Sequence, residues 1–311
     1  PMQRFVDTFA RYYTPAVFLV ALLAALVPPL FLGSAWTDAI YTALVILVIG
    51  CPCALVISTP VSIVSGMAAA TRYGILIKGG MFLEQGRRLD CLALDKTGTL
   101  THGKPRQTDC LCTGQEDEAA VVALVGDDGI RALFAVADTL KASSLEAVRE
   151  LKALGVTTVM LTGDNEHTAA AIARQVGVDS FKAGLLPADK LAVIEELEAR
   201  GHKVGMVGDG INDAPALADV GFAMAGNGTD TAIETADVAL MDDDLRKIPR
   251  FIRLSRATFA ILVQNITLAL GVKALFFALT FTGHATMWMA VFADVGTALL
   301  GGANGLRAMR Q

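Results

Sequence analysis

The chain has 311 residues, a length that suggests about two domains, and 53% of its residues are hydrophobic, with a mean hydropathy of +0.51. The hydrophobic excess lies at the two ends, which is unusual for a soluble protein and predicts a membrane protein with a soluble insert. The formal net charge is -5 and no basic block is present, so we expect no nucleic-acid partner.

Four apolar runs predict membrane-spanning helices in two hairpins. The runs are 16–32, 40–57, 259–281 and 286–303. Lys and Arg flank them on one side, and neither hairpin tip carries either residue, which predicts that the termini and the insert are cytoplasmic. The alternative is a buried helical bundle of a soluble protein.

The second run contains Cys51-Pro52-Cys53. Proline inside a helix removes a hydrogen bond and kinks the helix, which frees backbone carbonyls beside two thiols, and thiolates suit Zn(II) or Cu(I). Lys273 and Asp294 lie near the middles of the last two runs, where a charged residue indicates function. These residues predict a metal site. The alternatives are two buried cysteines beside a kink and a structural ion pair.

Between the hairpins, short apolar segments alternate with helix-patterned ones, which predicts a parallel sheet with helices on both faces. The strand candidates are 89–94, 132–137, 158–161, 204–207, 221–224 and 238–241, and the helix candidates are 143–154, 165–176 and 188–200. Parallel strands end at one edge of a sheet, so polar residues that follow them should converge there.

The first predicted strand of the insert leads into Asp95-Lys96-Thr97-Gly98-Thr99-Leu100-Thr101. A carboxylate at this position can act as a nucleophile and take up a phosphoryl group. Gly98 and the threonine hydroxyls leave N–H and O–H groups for phosphate oxygens. An Asp-Lys-Thr triplet alone also fits a polar turn.

Three further segments follow predicted strands or begin predicted helices. Asp209 and Asp213, with Asn212 between them, can share Mg²⁺, although a turn or a calcium loop is the alternative. Thr162-Gly163-Asp164 offers a hydroxyl and a helix N-terminus to an anion, or is simply a capped helix. Lys190 can hold charge on a transferring phosphoryl group, or lies on a solvated helix face.

In order and context, these segments resemble the haloacid-dehalogenase-like, Rossmann-type phosphorylation domain of the P-type ATPases. The resemblance implies that Asp95 is phosphorylated and that Mg²⁺ is a cofactor. The implied catalytic residues are Asp95, Lys96, Thr97, Thr162, Gly163, Asp164 and Lys190, and the implied magnesium and cofactor residues are Asp95, Thr97, Asp209, Asn212 and Asp213. Related phosphatases carry an acid/base Asp two residues after the nucleophile, where this chain has Thr97, so we expect a persistent aspartyl phosphate.

Cys51-Pro52-Cys53 before the phosphorylation motif resembles the heavy-metal branch of that family, and segments 265–273 and 293–296 look like its zinc, cadmium and lead exporters. The Tyr-Asn and Met-Ser-Ser patterns of the copper exporters are not found in the sequence. The resemblance implies that Cys51, Cys53 and Asp294 are ligands of the transported ion and that Lys273 is a counter-charge.

The implied function is ATP-driven export of Zn(II), Cd(II) or Pb(II) by a monomeric, multi-pass protein of the cell membrane, in bacteria the inner membrane. The alternatives are a Cu(I) exporter, a membrane phosphatase of the haloacid dehalogenase type, and a degenerate metal-binding remnant. Of these, Thr97 argues against the phosphatase.

The chain departs from the family pattern after Lys104-Pro105. The family has a nucleotide-binding domain there, whereas this chain has only a linker over 106–121, in which Cys110 and Cys112 form either a small metal site or an ordinary loop. The first spans and the actuator domain are also missing, and the chain opens on Pro1. We therefore expect part of a longer protein, in which ATP binds elsewhere.

The predicted domains are 1–88 (first hairpin and stalk), 89–245 (phosphorylation domain) and 246–311 (second hairpin).

Overall fold

The computed structural model describes residues 2–104, 106–111, 120–126, 129–208, 218–224, 226, 234–282 and 285–310. They form two compact units, Pro1–Ala69 with Leu254–Gln311, and Ala70–Arg253. The described elements, in chain order, are α1 (Met2–Phe31), α2 (Trp36–Gly50), α3 (Cys53–Arg72), β1 (Ile75–Ile77), α4 (Gly80–Gly86), β2 (Cys91–Asp95), β3 (Arg106–Leu111), β4 (Ala120–Gly126), β5 (Gly129–Ala137), α5 (Ala142–Ala153), β6 (Thr157–Leu161), α6 (Glu166–Val176), β7 (Ser180–Lys182), α7 (Pro187–Ala199), β8 (Val204–Gly208), β9 (Val220–Met224), β10 (Val238–Leu240), α8 (Lys247–Phe281) and α9 (Met287–Leu306).

The first unit is helical, and four of the described helical stretches are long and apolar enough to cross a membrane. They are Arg11–Phe31, Trp36–Arg72, Lys247–Thr280 and Met287–Arg310. Large apolar side chains such as Phe18, Leu22 and Phe31 are exposed on α1, as expected for a surface that faces lipid rather than water.

The predicted bounds of the second span, 40–57, were wrong, because the span covers Trp36–Arg72. The predicted kink at Pro52 is present as a break between two helices. The structure divides this region into α2 and α3 and extends α3 to Arg72. Cys51 between the two helices is extended, with φ -63° and ψ 123°. The break follows from Pro52, which disfavours the helical conformation of the residue before it.

The second unit contains a seven-stranded sheet in the order β1-β10-β9-β8-β2-β6-β7. β1 pairs antiparallel to β10, and the other neighbours are parallel. β2, β8 and β9 are buried throughout, as parallel strands covered on both faces should be. Ile194 of α7 packs on one face in a cluster with Cys91, Val204 and Met206. β2 therefore ends in the middle of the sheet, between β6 and β8.

The prediction that 132–137 belongs to the parallel sheet was wrong. The segment lies in β5, which pairs antiparallel with β3 and β4 in a separate three-stranded sheet. The segment 106–121, expected to be a plain linker, contains β3 and the start of β4. A short apolar run indicates a strand but does not name its partner, and β4 and β5 are close enough in sequence to pair as a hairpin.

Acidic residues at strand ends tie the seven-stranded sheet together. Asp179, before β7, accepts hydrogen bonds from the backbone N and the hydroxyl of Thr158 on β6, both at 2.8 Å, and pairs with Lys152 at 2.9 Å. Burial alone would raise the pKa of Asp179, but these hydrogen bonds and the Lys152 charge outweigh it and lower that pKa. The carboxylate is therefore a stabilising anion in the folded unit.

Candidate active site and metal centre

Asp95 is the last residue of β2, and its side chain lies at the carboxyl edge of the sheet, where only 5% of the residue is exposed. Lys190 Nζ, from the first turn of α7, donates to Asp95 Oδ1 at 2.5 Å, and both side chains are largely buried. The lysine thus faces the carboxylate rather than solvent, contrary to the alternative of a solvated helix face. The ammonium of Lys190 is therefore held beside a carboxylate oxygen of Asp95, close to where a phosphoryl group bound to that carboxylate would lie.

The turn after β6 lies beside the same loop. Lys96 Nζ pairs with Asp164 Oδ2 at 2.6 Å, and the buried Thr162 hydroxyl accepts a hydrogen bond from Asp164 N at 3.1 Å. A Cβ on Gly163 would lie 3.3 Å from Leu185 O, so this turn is closely packed. Asn165 caps α6 by accepting from Thr168 N. The capped helix is therefore present. The Lys96–Asp164 ion pair joins the turn before this helix to the loop after Asp95.

The loop after Asp95 is held by groups that the sequence did not single out. Asp138 Oδ2 accepts from Thr101 Oγ1 at 2.5 Å and from Gly103 N at 3.1 Å, and its other oxygen accepts from Lys104 N at 3.3 Å. The buried Lys141 donates to Gly98 O, where the backbone has a left-handed φ of 72°. Asp138 and Lys141, which follow β5, therefore hold the loop after Asp95 in place.

The hydroxyl of Thr99 is buried and has no partner among the described residues. Buried hydroxyls are normally hydrogen-bonded, so an orphaned one in the loop after Asp95 has capacity for a ligand oxygen or a water molecule. The predicted magnesium residues Asp209, Asn212 and Asp213 lie outside the described residues. Gly208 ends β8, whose Val207 pairs with Leu94, so the chain enters that segment at the same edge as Asp95.

Carboxylate oxygens are the ligands that Mg²⁺ prefers, and Asp95 supplies one at this edge. Cys91, at the opposite end of β2, is not a competing metal ligand. Burial, followed by the charges of Asp90 and Asp179, raises the pKa of the Cys91 thiol to about 11, so the thiol is neutral at ordinary pH.

In the helical unit, Cys51, Cys53 and Asp294 offer ligand atoms that all lie within 4.8 Å of one another. The structure therefore brings together the three predicted ligands, which come from the α2–α3 break and from α9. Two sulfurs and one carboxylate form a donor set that suits Zn(II) in a tetrahedral shell.

The structure joins Cys51 and Cys53 as a disulfide, which differs from the expectation of two free thiols. The turn at Pro52 places their Cα atoms 5.4 Å apart, within the ordinary range for a disulfide. A metal ion binds thiolates, so the reduced form of the pair is the one that can act as ligands.

Lys273 connects the helix break to Asp294. Its ammonium donates to Ile49 O at 2.9 Å, to Cys51 O, and to Asp294 Oδ1 at 3.2 Å. The sequence predicted freed carbonyls at the proline and a charged pair in the last two spans, and the structure shows that one lysine serves both. A small cavity beside this group is lined in part by Lys273, Asp294 and Thr297.

Comparison with known proteins finds similarity over the whole chain. Residues 112–221 match the family model of haloacid dehalogenase-like hydrolases. All of the chain aligns, at 40% identity, with 56% of a probable cadmium-transporting ATPase of Alkalihalophilus pseudofirmus. It aligns at 42% identity with 53% of a zinc/cadmium/lead-transporting P-type ATPase of Escherichia coli. The chain thus spans about half the length of these relatives.

A crystal structure of a zinc-transporting PIB-type ATPase in its E2.Pi state is similar over all of this chain and 64% of that one, with 42% identity and a TM-score of 0.89. The similarity confirms the predicted fold class, a helical membrane bundle with a haloacid-dehalogenase-like α/β domain. The alignment to the Alkalihalophilus protein runs over 403 positions, against the 311 residues of this chain, so that relative carries additional segments within the aligned region.

Proposed function

Since the chain is homologous along its whole length to cadmium- and zinc-transporting P-type ATPases, we propose that it supplies the phosphorylation site and the metal centre of an ATP-driven exporter of Zn(II), Cd(II) or Pb(II). The observation that carries the proposal is the Cys51–Cys53–Asp294 cluster, which lies on helices able to cross a bilayer in a chain that also contains Asp95 with Lys190.

In the proposed phosphorylation step, a carboxylate oxygen of Asp95 attacks the γ-phosphorus of ATP. The new bond joins Asp95 to phosphorus, and the bond that breaks releases ADP. Lys190, held against Asp95, offsets charge that develops on the transferring group, and Lys96 is kept in place by Asp164. Mg²⁺, when bound by Asp95, Thr97, Asp209 and Asp213 with Asn212 nearby, would neutralise phosphate charge.

Thr97 determines what happens to the product of that step. A related phosphatase would have a second carboxylate at this position to activate water, and a threonine cannot serve as that base at neutral pH. The aspartyl phosphate should therefore persist long enough to drive a conformational change. This favours a pump over the membrane phosphatase.

In the proposed transport step, the reduced Cys51 and Cys53 and the Asp294 carboxylate bind one divalent ion. The three negative charges of the ligands then exceed the two positive charges of the ion by one, and Lys273 offsets this excess charge. After the ion leaves and both thiolates take up protons from water, the Lys273–Asp294 pair seen at 3.2 Å leaves the empty site without net charge. An unpaired charge in such surroundings would cost about 3–5 kcal/mol. The proposed setting is a monomer in the cell membrane, with the phosphorylation domain in the cytoplasm and ATP bound by other segments of the complete protein.

The test uses the complete protein in inverted membrane vesicles. We expect ATP-dependent uptake of Zn(II) and incorporation of labelled phosphate, both abolished in Asp95→Asn, because the variant keeps the shape of the side chain but loses the anionic nucleophile. Asp90→Asn is the matched control, since Asp90 precedes β2 at the opposite end of the strand and bonds to Lys203 N. Phosphate incorporation in Asp95→Asn would show that the nucleophile is misassigned. Stimulation by Cu(I) but not by Zn(II) would move the protein to the copper branch.

A further inference from the structure

A buried amide connects three helices of the membrane unit. Asn265 of α8 is 3% exposed. Its Nδ2 donates to Gly301 O of α9 at 3.0 Å and lies 3.4 Å from Ser62 Oγ of α3, while its Oδ1 accepts from Asn304 Nδ2 at 2.8 Å. Because Gly301 O can only accept, the amide orientation is fixed by its partners. Both ends of the Asn265 amide are therefore hydrogen-bonded.

At the same level, the backbone of α9 lies directly against α3. A Cβ on Gly301 would be 3.1 Å from Ser58 Cβ, and a Cβ on Gly305 would be 2.9 Å from Ser62 Oγ. Ser62 is itself held, since its hydroxyl donates to Ser58 O at 2.8 Å. Close approach through small residues is a common way for membrane helices to pack, and a hydrogen-bonding side chain fixes their register.

This contact lies on the elements that carry the metal ligands. Cys53 is the first residue of α3, and Asp294 precedes Gly301 on α9 by seven residues, close to two helical turns. Asp294 and Gly301 therefore share a face of α9, about 10 Å apart along the helix axis. On α8, Lys273 lies eight residues after Asn265. The amide is thus too far from the cluster to be a ligand but is rigidly connected to it.

We propose that Asn265 is a positioning residue of the metal centre, which holds α3 and α9 at the separation that lets Cys53 and Asp294 share one ion. The inference rests on the proposed metal function. If α9 moves by a few tenths of an ångström, the carboxylate is displaced from the sulfurs while all the ligands remain. The effect should then appear in coordination geometry and affinity rather than in the number of ions bound.

The test measures two properties of the reduced complete protein in lipid nanodiscs. These are the Zn(II) dissociation constant, by competition with a chromophoric chelator, and the visible absorption spectrum of the Co(II)-substituted protein, which reports ligand geometry. We expect Asn265→Leu to bind one ion about tenfold more weakly, with an altered Co(II) spectrum, as is typical when a group that orients a ligand is removed. Thr267→Val is the control, because Thr267 lies two residues further along α8 and is exposed.

A compensating pair keeps the proposal testable if Asn265→Leu does not fold. Gly301→Ala should alter the Co(II) spectrum because its new Cβ meets Ser58 Cβ, and Ser58→Gly in the same chain should restore the spectrum by removing that atom. Unchanged spectra and affinity in Asn265→Leu or Gly301→Ala would overturn the proposal, as would complete loss of Zn(II) binding in a folded Asn265→Leu variant, because a positioning role weakens binding without abolishing it. If Cys53→Ser and Asp294→Asn bind Zn(II) normally, the proposed ligands themselves are wrong and the positioning role falls with them.

Discussion

Lys273→Met separates the two roles that the structure gives to this lysine. The substitution keeps much of the volume of the side chain but removes the charge and every hydrogen bond to Ile49 O, Cys51 O and Asp294. In the empty site, the variant leaves a carboxylate without its counter-ion. In the loaded site, Lys273 offsets one excess negative charge but also repels the bound cation, so its loss costs less there than in the empty site. We therefore expect Lys273→Met to bind Zn(II) more tightly and to release it more slowly.

The size of the effect follows from the geometry of the pair. Two unit charges 3.2 Å apart interact by about 5 kcal/mol at an effective dielectric constant of about 20. The side chains are 11% and 17% exposed, so water screens part of this energy. If roughly a third of the interaction survives, the affinity for Zn(II) rises about tenfold, since a factor of ten corresponds to about 1.4 kcal/mol. Losing the hydrogen bonds to Ile49 O and Cys51 O costs about 1–3 kcal/mol of folding stability for each carbonyl. This cost is the same in the empty and the loaded site, so it leaves the affinity for Zn(II) unchanged.

The assay is Zn(II) binding to the reduced complete protein by chelator competition, together with zinc-stimulated ATP hydrolysis. Lys273→Arg, which keeps the charge, should retain an affinity near that of the wild type. Asp294→Asn should lose stoichiometric Zn(II) binding and zinc-stimulated turnover. If Lys273→Met instead weakens binding as much as Asp294→Asn does, the lysine acts by holding the ligands in place, and the counter-charge reasoning is refuted.

Three further predictions concern the second unit, which contains the seven-stranded sheet. Lys190→Met should slow phosphoenzyme formation by about 10²–10³-fold, because it removes the ammonium from Asp95, and an initial rate of labelled phosphate incorporation close to that of the wild type would contradict this. Asp138→Asn should slow the same step about tenfold with unchanged Zn(II) affinity, since Thr101 and the backbone beyond it lose a charged acceptor; an unaltered rate would show that the loop needs no such anchor. Asp179→Asn should lower stability at pH 7 by about 1 kcal/mol, a modest figure because the carboxylate is partly exposed. The folded-state pKa of Asp179 is depressed, so its stabilisation is present above about pH 4 and is lost as the pH falls further, and the gap between variant and wild-type unfolding midpoints should close on acidification rather than persist.

The proximity of the loop after Asp95 to the turn at Asp164 was predictable because both follow parallel strands, whereas the role of Lys190 was implied by the family resemblance. Apolar runs locate the strands, and parallel strands end at one edge, so residues far apart in sequence converge there. The three ligand-bearing positions of the metal centre were equally accessible, since charged or sulfur-containing residues are conspicuous in an apolar run. In both sites, the residue type and its place in an element carried enough information.

The parts that were missed depend on pairing between distant segments. Nothing in the run 132–137 distinguishes a strand of the parallel sheet from one of the separate sheet. Asp138 and Lys141 act on backbone groups about 40 residues earlier, and no spacing reveals such a contact. The length of α3 was missed for another reason. After Ile57, the helix contains Ser58, Thr59, Pro60 and Ser62, which interrupt the apolar run, although the small Ser58 and Ser62 let the backbone of α9 approach.

Asp138 has a consequence for the length of chain that can be accommodated between it and Lys104. The chain leaves the surroundings of the seven-stranded sheet after Lys104 and returns at Asp138, whose carboxylate accepts a hydrogen bond from the backbone N of Lys104. This hydrogen bond holds the two ends of the intervening segment side by side. The entropic cost of closing a flexible segment between fixed ends grows only with the logarithm of its length, by about 0.6 kcal/mol per doubling. Segments of very different size can therefore be exchanged at this point during evolution, or in the laboratory, while the loop that carries Asp95 keeps its conformation.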